Sequence, residues 1–124
     1  MNAQLISDEL DRLATLDGIR SCALVEAPSG LVWHATASQG REHLWEAAID
    51  YWRLHQRQRV HFQTLGDLHA AVMYHRHEVL AVLPCTREPE LLVVCVATHA
   101  GVDWLHWQKL VRGLARQIEA SMAR

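Results

Sequence analysis

The sequence predicts a single-domain α+β fold, in which a five-stranded antiparallel sheet carries helices on both faces in the order α-β-β-α-β-β-β-α. Three observations predict it. Apolar residues recur at helical spacing in three segments, near the two ends and in the middle of the chain. Five short apolar runs lie between those segments and are bounded by turn residues. The chain has 124 residues, which is the length of one domain, so residues 1–124 are assigned to a single unit.

The first helix is predicted over Ala3–Leu16. Ile6, Leu10 and Leu13 recur there at helical spacing, with charged residues between them, and this pattern is typical of a helix with one buried stripe. Asp17-Gly18 ends the segment, because glycine readily takes the left-handed conformation that commonly follows a helix.

A β-hairpin is predicted next, with strands at Ile19–Glu26 and Leu31–Ala35 and a turn at Ala27–Gly30. Pro28 presets the φ angle of the turn, and Gly30 can adopt a positive φ. Proline followed by glycine between two apolar runs therefore indicates a tight hairpin connection.

The second helix is predicted over Arg41–Arg57, with Ser38 as its N-cap. It carries two apolar stripes. The first consists of Leu44, Ala47, Ala48, Tyr51 and Leu54. The second lies about 100° further round the helix axis and consists of Trp45, Ile49 and Trp52. A helix on the surface of a monomer needs only one such stripe. Because tryptophan is enriched in interface hot spots, we expect the first stripe to face the sheet and the second to contact another protein. Arg53 and Arg57 are expected at the rim of that contact.

The rest of the chain completes the sheet and adds a third helix. Strands are predicted at Leu68–Tyr74, at Val79–Leu83 up to Pro84, and at Leu91–Thr98, after an unassigned stretch at Gln58–Asp67. The last of these runs is apolar on both faces, which predicts a central strand. A final helix starts near Gly101 and Asp103, and its apolar residues from Trp107 to Met122 follow the helical repeat.

Composition excludes several functional classes. The net charge of −2 and the pI near 6.5 argue against a nucleic-acid binder, which normally carries a basic excess. The longest purely apolar run, Leu91–Ala97, is far too short to insert in a membrane. Asp8 and Glu9 lie where a secretory signal would be apolar. The three cysteines form no CxxC motif, so we expect a protein of the reducing cytoplasm.

The sequence contains no complete catalytic, metal or cofactor motif. Nine histidines are many for this length, and His69, His75 and His77 share one strand parity, but no further ligand stands at a recognisable spacing. No nucleophile motif surrounds the serines or cysteines, and no glycine-rich phosphate loop is present. We therefore predict no catalytic residue, no metal and no cofactor, and a protein that is not an enzyme.

Four segments of the chain resemble the roadblock (dynein light chain) family of the roadblock/longin superfamily. They are Leu13–Ile19, Ser21–Glu26, Ser29–Leu31 and Leu91–Val96. The first three look like the opening helix and hairpin of the family, and the fourth looks like its last strand. The order of elements matches over nearly the whole chain, so the resemblance implies a roadblock/profilin-like fold.

The resemblance also implies a function. Roadblock proteins typically form homodimers, or heterodimers with a paralogue, in which the second helices lie side by side. That platform commonly docks small Ras-like GTPases, so the resemblance implies a non-enzymatic scaffold or regulator in signalling. The alternative is a PAS-like small-molecule sensor domain, in which His34 and Tyr74 would be polar groups within an internal cavity.

Overall fold

The computed structural model describes residues 3–37 and 39–122. Its elements are α1 (Ala3–Ala14), β1 (Ile19–Glu26), β2 (Val32–Thr36), α2 (Glu42–Gln58), a 3₁₀ helix (Arg59–Leu65), β3 (Ala71–Tyr74), β4 (Val79–Arg87), β5 (Glu90–Ala97) and α3 (Trp104–Met122). The predicted α+β class and order of helices and strands are confirmed. The stretch that the sequence left unassigned contains the 3₁₀ helix.

The five strands form one antiparallel sheet in the order β2-β1-β5-β4-β3. The strand that is apolar on both faces, β5, is the central one, as its pattern predicted. Helices cover both sides of it. Helices α1 and α3 pack on one face of the sheet, and α2 packs on the other. The result is a three-layer molecule with two hydrophobic cores that share the sheet.

The N-terminal and C-terminal helices bury the stripes that their periodicity predicted. Ile6, Leu10 and Leu13 of α1 are buried against the sheet. The buried residues of α3 are Trp107, Val111, Leu114, Ala115 and Ile118. Asp103 caps α3, because its carboxylate accepts a hydrogen bond from the backbone N–H of His106 at 3.1 Å.

The structure corrects several predicted bounds. Strand β3 begins at Ala71, not at Leu68. Strand β4 does not end at Pro84 but continues to Arg87, with a shift of register between Pro84 and Thr86. Strand β3 pairs with β4 only as far as Val82, so Pro84 lies where β4 has no neighbour on that side and needs no N–H. Helix α2 begins at Glu42 without a side-chain cap. The predicted cap, Ser38, lies outside the described residues.

Gly18 closes the connection between α1 and β1, and we expect its substitution to be costly. Its φ is +86°, and a Cβ there would lie 2.6 Å from Cγ2 of Val102. Gly30 also has a positive φ, of +76°, but an added Cβ would meet nothing within 4 Å. Gly18→Ala should therefore destabilise by about 2–4 kcal/mol, from backbone strain and overpacking, and Gly30→Ala by about 1 kcal/mol, from strain alone. Urea denaturation measures both, and equal losses would contradict the close approach.

Candidate functional site

The face of α2 that meets the sheet is the one that carries the tryptophans. Trp45 and Ile49 are 1% and 0% exposed, and Trp52 is half-buried against the same core. The predicted orientation of α2 was therefore wrong in part: the stripe assigned to a partner contacts the protein's own sheet. Of the stripe assigned to the sheet, Leu44 and Ala48 pack there as predicted, whereas Tyr51 and Leu54 are exposed. The physical reason lies in the strands beneath, where small side chains leave room for indole rings. They are chiefly Ala23, Val25, Val82 and Val94.

Trp52 and Arg53 are held by polar groups of the protein itself. The indole Nε1 of Trp52 donates to Oε1 of Glu90 at 2.9 Å. The guanidinium of Arg53 lies 3.2 Å from Oδ1 of Asp50 and donates to the carbonyl of Ala27, also at 3.2 Å. Arg53 thus joins α2 to the turn between β1 and β2.

The other end of α2 is anchored by a second charged group. The two guanidinium nitrogens of Arg41 donate to the two carboxylate oxygens of Glu78, each at 3.1 Å. The Nε of Arg20 lies 3.1 Å from the same carboxylate. Because Arg41 precedes α2 and Glu78 precedes β4, this cluster fixes the start of the helix over the sheet. Together with the Arg53 contacts, it determines which face of α2 points outward.

The outward face of α2 carries two parallel rows of side chains. The apolar row consists of Ala47, Tyr51 and Leu54, and the last two are 46% and 49% exposed. The charged row consists of Glu46, Asp50, Arg53 and Arg57, which recur at intervals of three or four residues and so lie along one line of the helix. Its first half is acidic and its second half is basic.

The predicted site residues are therefore divided between the two faces. Trp45 and Ile49 lie in the core, and Trp52 lies at its margin. Arg53 and Arg57 belong to the outward face, and Arg57 is exposed. Tyr51 and Leu54, which were predicted to face the sheet, are surface residues. The signal that could have found them is the charged row beside them, since alternating charges mark the solvated side of a helix.

The histidines do not form a metal centre in the part of the chain that the structure describes. Across residues 3–37 and 39–122, no three His, Cys, Asp or Glu side chains are placed to hold one ion. The Nε2 of His34 lies 2.8 Å from Oδ1 of Asp11, and His99 contacts the backbone carbonyl of His75. These contacts join neighbouring elements at the surface.

The cysteines are not poised as nucleophiles. Burial, with a smaller contribution from the negative charge of Glu119, raises the pKa of Cys85 to about 12. The pKa of Cys95 is raised by its hydrogen bond with Cys22, the residue opposite it on β1, and by burial. A thiol with a raised pKa stays protonated at neutral pH and reacts slowly.

A cleft of about 760 Å³ opens between the end of α2, the 3₁₀ helix and the end of β4. It has the volume of a small-molecule site, as the sensor alternative requires, but not the polar residues predicted for it. Tyr74 is 65% exposed on edge strand β3, and His34 pairs with Asp11. Neither His34 nor Tyr74 lines the cleft. The polar residues proposed for a PAS-like sensor therefore do not meet in one cavity.

Comparison with known proteins shows the fold. No protein-family model matches the sequence, and no curated protein matches it either. Among solved structures, the Roadblock/LC7 domain from Streptomyces avermitilis is 16% identical, with a TM-score of 0.73 and 97% of each chain covered. The gliding protein MglB from Thermus thermophilus is 17% identical, with a TM-score of 0.72 over 92% of this chain and 88% of that one. An MglB structure with a tetrameric arrangement is 18% identical, with a TM-score of 0.71 and the same coverage.

These similarities define the fold. The molecule is a single α+β domain with the Roadblock/LC7 fold, as the resemblance predicted. None of its described helices is long and apolar enough to cross a membrane.

Proposed function

We propose that this protein is a non-enzymatic scaffold or regulator that forms a dimer through the outward face of α2 and binds a small Ras-like GTPase in the cytoplasm. Two kinds of observation support the proposal. The fold is that of Roadblock/LC7 and MglB proteins, one of which was solved in a tetrameric arrangement. The outward face of α2 has an apolar row beside a charged row, and the acidic half of the charged row matches the basic half of a second copy. This observation carries the proposal.

The complementarity follows from the order of charges along α2. If a second copy of the helix lies antiparallel across a two-fold axis, Glu46 of one chain faces Arg57 of the other, and Asp50 faces Arg53. A two-fold axis repeats each contact, so four opposite-charge pairs form from one row of four residues. The same arrangement brings together the exposed side chains of Tyr51.

The apolar row supplies most of the expected stabilisation. Fully burying a leucine contributes about 1.5–3 kcal/mol, so covering Leu54, which is 49% exposed, contributes about half of that, whereas an exposed ion pair contributes about 0.2–1 kcal/mol. The charges therefore act mainly on orientation, since a parallel pair would place like charges together. The sheet edges β2 and β3 add unpaired backbone groups that a joined sheet would cover.

The GTPase is expected on the platform that the paired helices create. Exposed residues of both signs border it, and charged surfaces steer protein association. The three cysteines are free, as in a reducing compartment. A non-enzymatic role agrees with the protonated thiols and with the separate contacts of the histidines described above.

Affinity capture in the two nucleotide states tests the proposed partner. The tagged protein is incubated with a lysate of its own cell, loaded with either a GTP analogue or GDP. We expect a small Ras-like GTPase to be retained in one nucleotide state. Retention should be lost with Leu54→Glu and kept with Leu105→Glu, which places the same charge on the exposed face of α3. Failure to retain a GTPase in either state would contradict this part of the proposal.

A further inference from the structure

The cleft lies at the end of β4, where that strand continues past its neighbour β3. Strand β3 begins at Ala71, opposite Val82, whereas β4 stays paired with β5 as far as Arg87. The lining residues come from α2, the 3₁₀ helix, the segment that follows it, β4, β5 and α3. The cleft therefore passes the edge of the sheet from one helical layer to the other. Its volume of about 760 Å³ lies in the range of small-molecule sites.

One wall of the cleft is a row of three flat rings. The rings of His55 and Phe62 are stacked, with centroids 5.5 Å apart and planes inclined by 7°. The indole of Trp52 follows at 6.1 Å from His55. The hydrogen bond from Trp52 to Glu90 holds that ring in place. Because the faces of His55 and Phe62 are turned to each other, a planar ligand beside the row contacts ring edges, and edge-to-face contact is a favourable aromatic geometry.

The cleft is lined by three arginines and two carboxylates. The arginines are Arg59, Arg87 and Arg112, and the carboxylates are those of Asp67 and Glu90. Arg87 lies 3.6 Å from Asp67, and one oxygen of Glu90 is bound to Trp52. Among the described residues, the side chains of Arg59 and Arg112 have no hydrogen-bond or ion-pair partner. Two guanidinium groups therefore remain available to an anion.

We infer that this cleft is a binding site for a small ligand that carries an anionic group on a planar ring. The ring lies along Trp52, His55 and Phe62, and the anionic group is bound by Arg59 and Arg112. Arginine suits this role because its planar fork makes two parallel hydrogen bonds to a carboxylate or a phosphate. Cys85 lines the same cleft, and burial raises the pKa of its thiol to about 12.

Titration with paired probes tests the site and identifies the anionic group. Naphthalene-2-carboxylate and adenosine 5′-monophosphate represent the carboxylate and the phosphate, and naphthalene-2-carboxamide and adenosine are their neutral counterparts. Binding is followed by NMR through the indole N–H of Trp52 and the backbone amides of the cleft. We expect saturable shifts with at least one anionic probe and weaker binding of its neutral counterpart. The anionic probe that binds shows whether the site prefers a carboxylate or a phosphate.

Matched variants then locate the anion. Arg112→Met should raise the dissociation constant about tenfold, the effect of losing a charge-assisted hydrogen-bond pair. Arg116→Met, one turn further along α3 and outside the cleft, should leave it unchanged. Both arginines are exposed, so neither substitution should unfold the domain. The inference is overturned if neither anion shifts the cleft resonances, if the neutral probes bind equally well, or if both variants weaken binding alike.

Discussion

Trp45→Ala is expected to lower the free energy of unfolding by about 3–5 kcal/mol, the cost of removing a large buried aromatic side chain. The reason is the position of Trp45 in the core between α2 and the sheet, where it is 1% exposed. The strands below carry alanine and valine, which cannot move far enough to fill the cavity. Urea denaturation followed by circular dichroism measures the loss.

Two further variants make this prediction specific to the orientation of α2. Leu54→Ala, on the opposite side of the same helix, should change the free energy of unfolding of the monomer by no more than about 0.5 kcal/mol. Trp45→Phe should cost much less than Trp45→Ala, because it keeps most of the ring. It also removes an indole N–H that is buried without a partner among the described residues. Equal costs for Trp45→Ala and Leu54→Ala would show that the helix is rotated.

Leu54→Glu is expected to convert the proposed dimer into a monomer that stays folded. Leu54 is 49% exposed in the single chain, so a carboxylate there remains hydrated in the monomer. In the proposed dimer the same carboxylate would be buried against an apolar row, and an unpaired buried charge costs several kcal/mol. Size-exclusion chromatography with light scattering measures the mass, and circular dichroism shows that the fold is retained.

Leu105→Glu is the matched control for that experiment. Leu105 is 66% exposed on α3, on the other side of the sheet from α2. The variant should keep the mass of the wild type. If it dissociates and Leu54→Glu does not, the dimer is formed by the layer of α1 and α3 instead.

The sequence correctly predicted the packing of those elements whose apolar residues can be buried in only one way. Helix α1 has a single apolar stripe, so Ile6, Leu10 and Leu13 could only face the core. Strand β5 is apolar on both faces, so it could only be central. In each of these cases hydrophobic periodicity alone determines the packing.

Helix α2 was different, because it has two neighbouring apolar stripes. Periodicity shows that both exist but not which one meets the sheet. That choice depends on the size of the side chains across the interface, where Ala23 and Val94 leave room for Trp45. It also depends on long-range ion pairs such as Arg41 with Glu78, which join residues far apart in the chain. Neither is visible in a local pattern.

The cleft could not be predicted for a related reason. It lies where β4 continues beyond its pairing with β3 at Val82, whereas Pro84 was interpreted as the end of the strand. Proline does exclude a central position with neighbours on both sides, but it is tolerated where one neighbour is absent. Whether a neighbour is present is a property of the whole sheet.

The central claim, that two copies pair through the outward faces of antiparallel α2 helices, is tested most directly by exchanging two charges. Glu46 and Arg57 have no ion-pair partner among the described residues, so their substitution should not disturb the single chain. Sedimentation equilibrium of the wild type should give twice the chain mass of 14.1 kDa.

Arg57→Glu should raise the dissociation constant about tenfold or more, because the two-fold axis creates two repulsive pairs. The double variant Glu46→Arg, Arg57→Glu should restore the wild-type mass. A wild type that sediments as a monomer, or a double variant that dissociates as readily as Arg57→Glu alone, would contradict the claim.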